Sequence, residues 1–342
     1  MTYLSLAGGL LLLLLCGDLL VRGAAGLAAR AGISPLVIAL TVVALGTSMP
    51  ELMISVDAAL RGSPDIALGN VVGSNIANIL LVLGLPALAY PIACRSQALG
   101  VNTGFMLAVS GLLIALCFLG PLTRGEGLLL IALLAAYLAW SVRAARGYRL
   151  DARERAATTE ALVKDVKETG RLIEHAVEEI VEKDVKPATM SRLVIGVFIL
   201  VGCIGLPIGA RLVVEGGTGL ARAFDIPEAA IALSLIAIGT SLPELSTSLM
   251  AAWRRQHELA IGNVVGSNII NILAILGVSS LIAPLPVAAN FLHLDLWVML
   301  LAALAIVPTV AARGSITRTK GAIFVLSYVI YLFAIFQPEH VT

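Results

Sequence analysis

Two glutamates 193 positions apart, Glu51 and Glu244, close near-identical hexapeptides, GTSMPE at 46–51 and GTSLPE at 239–244. Thr47 and Ser48 precede the first, Thr240 and Ser241 the second. Thr47 and Glu51 stand four residues apart, as do Thr240 and Glu244, so on a helix hydroxyl and carboxylate share one face. A second motif, GNVVGSNI, occurs letter for letter at 69–76 and 262–269. Ser74 with Asn78, and Ser267 with Asn271, repeat the four-residue spacing with a hydroxyl and an amide. The resulting donor set is all oxygen, with no histidine or cysteine in either motif. Hard oxygen ligands suit calcium, sodium or magnesium and argue against zinc or copper. Magnesium demands a near-ideal octahedron and keeps its waters, so a dry cage fits it less well. Two buried carboxylates also need a cation or a proton to balance them. Such a site, when empty, demands a load, as an obligatory exchanger requires.

The elements that must carry these residues are membrane spans. Of 342 residues, 59% are hydrophobic and 13% charged, about half the charged share of a soluble domain. A net charge of +1 gives no argument for nucleic acid. Cys16, Cys94, Cys117 and Cys203 are scattered in apolar surroundings without a CxxC, which reads as packing rather than a disulfide or zinc framework. The opening MTYLSLAGGLLLLLLCGD has no basic residue before its apolar run, so it reads as a first span rather than a signal peptide. Ten stretches reach the ~20 residues a span needs: 3–29, 33–60, 65–90, 99–119, 123–145, 192–223, 227–253, 258–283, 292–311 and 317–336. Five precede and five follow a charged segment, 146–191, which holds 10 of the 22 acidic residues. Its Leu162, Val166, Ile173, Val177 and Ile180 predict one narrow apolar helical face. The domain reading is therefore 1–145, a linker at 146–191, and 192–342.

Arginine and lysine orient the spans. With both termini outside, the inner loops hold Arg30, Arg95, the cluster Arg143–Arg155, Arg254, Arg255, Arg313, Arg318 and Lys320, and the outer loops only Arg61, Arg124 and Arg222. The linker is then cytoplasmic. Across 46–84 and 239–277, 24 of 39 positions are identical, within longer copies at 41–85 and 234–278. Five spans separate the copies. An odd number inverts the second in the membrane, which is a transporter signature with the site at the midplane. The predicted fold is all-α, ten transmembrane helices as two inverted five-helix repeats.

Proline breaks the helix at the motif. Pro50 has no N–H for the carbonyl of Gly46, nor Pro243 for that of Gly239. Freed carbonyls at membrane depth are tolerable only where they line a cavity or meet an ion. Glu51 and Glu244, ionisable residues within spans, are by that fact candidate functional groups.

At these residues the chain resembles the cation/calcium exchanger superfamily, specifically the bacterial and archaeal sodium/calcium exchangers. The carriers are GTSMPE, GNVVGSNIAN, GTSLPE and GNVVGSNIIN, and with the two five-span halves the resemblance covers nearly everything but the charged linker. It implies Glu51 and Glu244 as central calcium ligands, with carbonyls from Thr47 and Thr240 and completion by Asn78 and Asn271. It implies Ser74 and Ser267, with Ser48 and Ser241, around flanking sodium sites, and carbonyls of Ala44 and Ala237 toward outer sodium ions. It further implies alternating access, with the first and sixth helices sliding against the bundle. Potassium-dependent relatives carry aspartate where this chain has Asn271, so the amide favours potassium independence.

The expectation is a sodium/calcium antiporter of a prokaryotic cytoplasmic membrane, acting as a monomer in lipid, with no cofactor and with Ca2+ and Na+ as cargo. A proton/calcium antiporter of the same fold is the nearest alternative. An intramembrane hydrolase would need an activated water or nucleophile, and no HExxH occurs. A passive channel fits broken inverted halves less well. Asp18 and Arg22 are spaced as an intrahelical pair, with Arg211 and Glu215 at the repeat-equivalent positions and the signs reversed. They read either as ion pairs or as a gate. His293 and Asp295 read as loop residues.

Overall fold

A computed structural model of the chain describes residues 2–145, 190–223 and 237–335. The charged linker lies, up to residue 189, outside the described residues, as does the first part of the predicted seventh span.

Along the chain run α1 (Thr2–Ala31), α2 (Pro35–Thr47), α3 (Met49–Leu60), α4 (Pro64–Ala89), α5 (Gln97–Leu119) and α6 (Arg124–Ala145). The second half contributes α7 (Arg192–Ala223), α8 (Ala237–Thr240), α9 (Leu242–Trp253), α10 (His257–Ile282), α11 (Phe291–Ala311) and α12 (Arg318–Ile335). Among the described residues eight helices are long and apolar enough to cross a membrane, and the bent pair α2–α3 makes up to nine. The predicted span 227–253 is described only from Ala237. One departure from an all-α chain is a two-stranded antiparallel clasp, β1 (Ile92–Ala93) with β2 (Ser315–Ile316), Ile92 opposite Ile316. A bridge between Leu122 and Leu285 occupies the repeat-equivalent place. These loop ends leave a helix with unpaired backbone groups, and pairing them satisfies what the apolar surroundings cannot.

The predicted break in span two is real, but it falls at Ser48 rather than at the proline. The axis turns by 47° there. Ser48 has φ −83° and ψ 8°, and its counterpart Ser241 has φ −84° and ψ 3°. Pro50 and Pro243 sit in the first turn of the helix that follows, where a missing N–H costs nothing and the fixed φ suits helix entry. Two repeat-equivalent stretches, Asn78–Val82 and Asn271–Leu276, widen into π-helical turns, a distortion frequent at functional sites.

α4 and α10, which carry the repeated octet, are the two most enclosed spans. Their serine and asparagine side chains have no water to turn to in the bilayer, so they must find partners inside the bundle. α1 and α7 pack face to face through glycine. A Cβ on Gly9 would meet the carbonyl oxygen of Gly209 at 2.8 Å, the close approach that small residues permit between spans.

This helix pair sits asymmetrically. Ser246 of α9 donates to the carbonyl of Leu13 in α1 at 2.6 Å. The equivalent position on α3 is Met53, 69% exposed against 6% for Ser246. The same lipid-compatible surface is therefore covered on one broken helix and bare on its repeat partner.

The Asp18 and Arg22 pair forms at 2.9 Å, and Asp18 also pairs with Arg254 at the end of α9. Arg211 and Glu215 pair at 2.7 Å on an exposed face, with no such third member among the described residues. Asp18 therefore does more than the bare intrahelical reading, for it ties α1 to α9. Asp57 pairs with Arg61 at the surface, at 2.7 Å.

Candidate cation cage

The broken helices and the octet helices meet at one buried point. Glu51 and Glu244, the first from α3 and the second from α9, are 1% and 0% exposed. Thr47, Ser48, Ser74, Asn78, Thr240, Ser241, Ser267 and Asn271 are buried as well, and so is Ala44. Ala237 begins α8, one turn before Ser241.

Hydrogen bonds join the two halves here. Ser48 Oγ donates to Glu244 Oε1 at 3.0 Å, and Ser267 Oγ reaches the same oxygen at 3.5 Å. The Thr240 hydroxyl is a hydrogen-bonding neighbour of the Glu51 carboxylate. Thr47 Oγ1 lies 3.2 Å from Asn263 Oδ1 and 3.3 Å from the carbonyl of Ala44.

Residues outside the predicted set hold the motif in shape. Asn70 donates to the carbonyl of Glu51 at 3.0 Å and to Ser55 Oγ at 2.9 Å. Asn263 does the same to Glu244 and Ser248, at 3.5 and 3.3 Å. These amides pin the first turn after each helix break to the neighbouring octet helix. Asn75 and Asn268 also lie at the centre. The repeat itself was the signal for all four, since each asparagine recurs 193 positions on. Four-residue spacing also puts Asn70 and Asn263 on the face of Ser74 and Ser267, and passes over only Asn75 and Asn268, which lie off that face.

The charge at this point is one-sided. None of the ion pairs among the described residues includes Glu51 or Glu244. Burying carboxylates without a partner is costly, so a cation or protons must complete the arrangement. The unsatisfied atoms say which atoms would meet it. Glu51 Oε2, Glu244 Oε2, Ser74 Oγ, Ser241 Oγ, Asn78 Oδ1 and Asn271 Oδ1 are buried without a hydrogen-bond partner among the described residues. Such groups are rare in folded proteins and call for an explanation. Six oxygens left over in the motifs fit a hard cation. No group of three or more His, Cys, Asp or Glu side chains able to hold a metal occurs among the described residues, so a site built of two carboxylates relies on neutral oxygens for the rest.

A cavity of about 450 Å³ reaches this point from one side, lined by Asp65, Asn70, Ser74, Asp295, Tyr328 and Tyr331 among others. Tyr331 Oη donates to Asp295 Oδ1 at 2.9 Å. Asp295 is therefore not the loop residue its sequence surroundings imply, because α11 begins with a π-helical turn over Phe291–Asp295 that carries it inward.

Against known proteins, the family described as sodium/calcium exchanger protein matches residues 1–143 and 194–337. The sodium/calcium exchanger MaX1 of Methanosarcina acetivorans is 33% identical over 343 residues, covering 98% of each chain. The inner membrane protein YrbG of Escherichia coli is 36% identical over 276 residues, 81% of this chain and 78% of that one. Among solved structures, the sodium-calcium exchanger NCX_Mj soaked with Na+ and Ca2+ superposes with a TM-score of 0.76 at 30% identity, covering 98% of this chain and 99% of that one.

Proposed function

The chain belongs to the sodium/calcium exchanger protein family, and from that premise we propose that it moves calcium out of the cell in exchange for sodium. It is a multi-pass membrane antiporter of cations and not an enzyme. One observation carries the finer reading: two carboxylates from opposite halves, unpaired by any described cation, stand among buried oxygens that have no hydrogen-bond partner among the described residues.

In this reading Glu51 and Glu244 bind calcium between them, with Asn78 and Asn271 and the carbonyls of Thr47 and Thr240. Ser48, Ser241, Ser74 and Ser267, with the carbonyls of Ala44 and Ala237, receive sodium. Each half supplies one carboxylate, so a dication bridges the halves, while sodium ions share the same charges singly. Opposite-charge compensation makes the loaded states the ones able to reorient, because the unloaded cage keeps uncompensated charge in a low-dielectric interior.

The two five-span halves, 1–145 and 192–342, are inverted about the membrane plane, with the termini outside and the protein in the cytoplasmic membrane. The repeat-equivalent serine breaks and the paired loop clasps support this arrangement. The α1–α7 pair, seated over α9 and leaving Met53 of α3 bare, supports a sliding exchange of covered faces between two states. The cavity at Ser74 supplies an approach to the cage.

The test is calcium uptake by proteoliposomes loaded with sodium, with parallel vesicles loaded with potassium or carrying a proton gradient. Uptake is expected only from the sodium-loaded vesicles. Uptake driven by the proton gradient alone would move the counter-ion to protons while leaving the cage in place. No calcium flux under any gradient would remove calcium as the cargo.

A further inference from the structure

We infer that Asn75 and Asn268, neither of them a ligand, are positioning residues that decide which atom Asn78 and Asn271 turn toward the ion. The inference rests on the cage reading above and adds to it a cross-half clasp of four amides.

The geometry forces the assignment step by step. Asn75 Nδ2 lies 3.3 Å from the backbone carbonyl of Asn268, and Asn268 Nδ2 lies 3.3 Å from that of Asn75. A backbone carbonyl can only accept, so each of these amides must present its NH2 group to it. Asn75 Nδ2 also lies 3.8 Å from Met299 Sδ, another acceptor. The carboxamide oxygens of Asn75 and Asn268 are thereby turned the other way. Asn271 Nδ2 meets Asn75 Oδ1 at 3.0 Å, and Asn78 Nδ2 meets Asn268 Oδ1 at 3.0 Å. Those oxygens accept, so Asn78 and Asn271 must offer nitrogen to the clasp. Their own Oδ1 atoms are then the free ends, and both are buried without a donor among the described residues.

An asparagine is a ligand for a cation only through its oxygen, and its amide can turn over. The clasp removes that freedom. Turning Asn78 over would set two carboxamide oxygens against each other in a buried site, an unsatisfied and costly arrangement. Each ligand oxygen is thus oriented by the opposite half of the molecule. The two halves of the cage are therefore not oriented independently.

A double-mutant cycle separates positioning from mere packing. The variants are Asn268→Leu, Asn78→Ala and the pair together, with Asn75→Leu and Asn271→Ala as the mirror set. Purified protein is titrated with calcium, and the half-saturating concentration is read both from thermal stabilisation and from uptake into sodium-loaded vesicles. Asn268→Leu is expected to raise the half-saturating calcium concentration about tenfold. In the Asn78→Ala background, where no oxygen is left to orient, the same change should raise it less than twofold. An equal rise in both backgrounds, or no rise in either, overturns the inference. Where Asn268→Leu does not yield folded protein, Asn268→Ala and the mirror set make the same comparison. An unmodified protein that responds to no cation would defeat the cage reading itself, a different result from additive variants of a responsive protein.

Discussion

Glu244→Gln is expected to lower calcium transport by at least about 100-fold while leaving the protein folded. The substitution keeps the size and a hydrogen-bonding oxygen for Ser48 and Ser267, which reach Glu244 Oε1 at 3.0 and 3.5 Å. Only the charge goes. Removing one partner of a buried ion pair costs about 3–5 kcal/mol, or roughly two to three and a half powers of ten in affinity. In the empty protein the effect on stability should be neutral or favourable, because Glu244 is fully buried and no described ion pair includes it. The melting temperature in cation-free buffer should therefore hold or rise, while the stabilisation by added calcium disappears. Glu51→Gln should behave alike, since Glu51 occupies the same place in the other half. Calcium transport within about threefold of the unmodified protein would rule out the carboxylate as a ligand. A lowered melting temperature without calcium would show that it serves structure instead.

The second large effect concerns a glycine of the second octet, Gly266. Gly73 and Gly266 occupy the same place in the repeated octet. A Cβ at Gly266 would lie 2.7 Å from Leu40 Cα, 2.8 Å from the Leu40 carbonyl oxygen and 2.8 Å from Ala44 Cβ. Two of these atoms are backbone, so α2 itself would have to move. Overpacking of this kind costs about 1–3 kcal/mol, which exceeds the gain of up to about 1 kcal/mol that alanine brings to a helix. Gly266→Ala is accordingly expected to lower the melting temperature and to impair transport, because α2 carries Ala44 and Thr47 to the cage. An unchanged melting temperature and unchanged transport in Gly266→Ala would refute this close packing.

Much of the cage was legible before the fold. A carboxylate inside an apolar span is expensive, so Glu51 and Glu244 announce themselves. The duplication then picks out Thr47, Ser48, Ser74 and Asn78 with their counterparts. The break could be placed near Pro50 because a proline lacks an N–H, yet the bend settles at Ser48, where the chain turns before the proline enters the next helix. Spacing along one helix cannot show Asn75 clasping Asn271, or Arg254 reaching Asp18, because those partners come from elements distant in the chain. Nor could it show the β1–β2 clasp, whose strands are two residues each and carry no periodicity to read.

By itself the sequence determined that this is a duplicated membrane protein with an all-oxygen, doubly acidic site. Composition, the 193-residue repeat and the cost of burying charge each depend only on which residues stand where along the chain. The tertiary structure alone decided how the two copies differ. Equivalent broken helices meet unlike neighbours, the α1–α7 pair covering Ser246 of α9 and leaving Met53 of α3 bare. A repeat specifies the same local helices twice. The bundle caught in one arrangement must bury one copy's surface and bare the other's, and only packing between distant segments makes that choice.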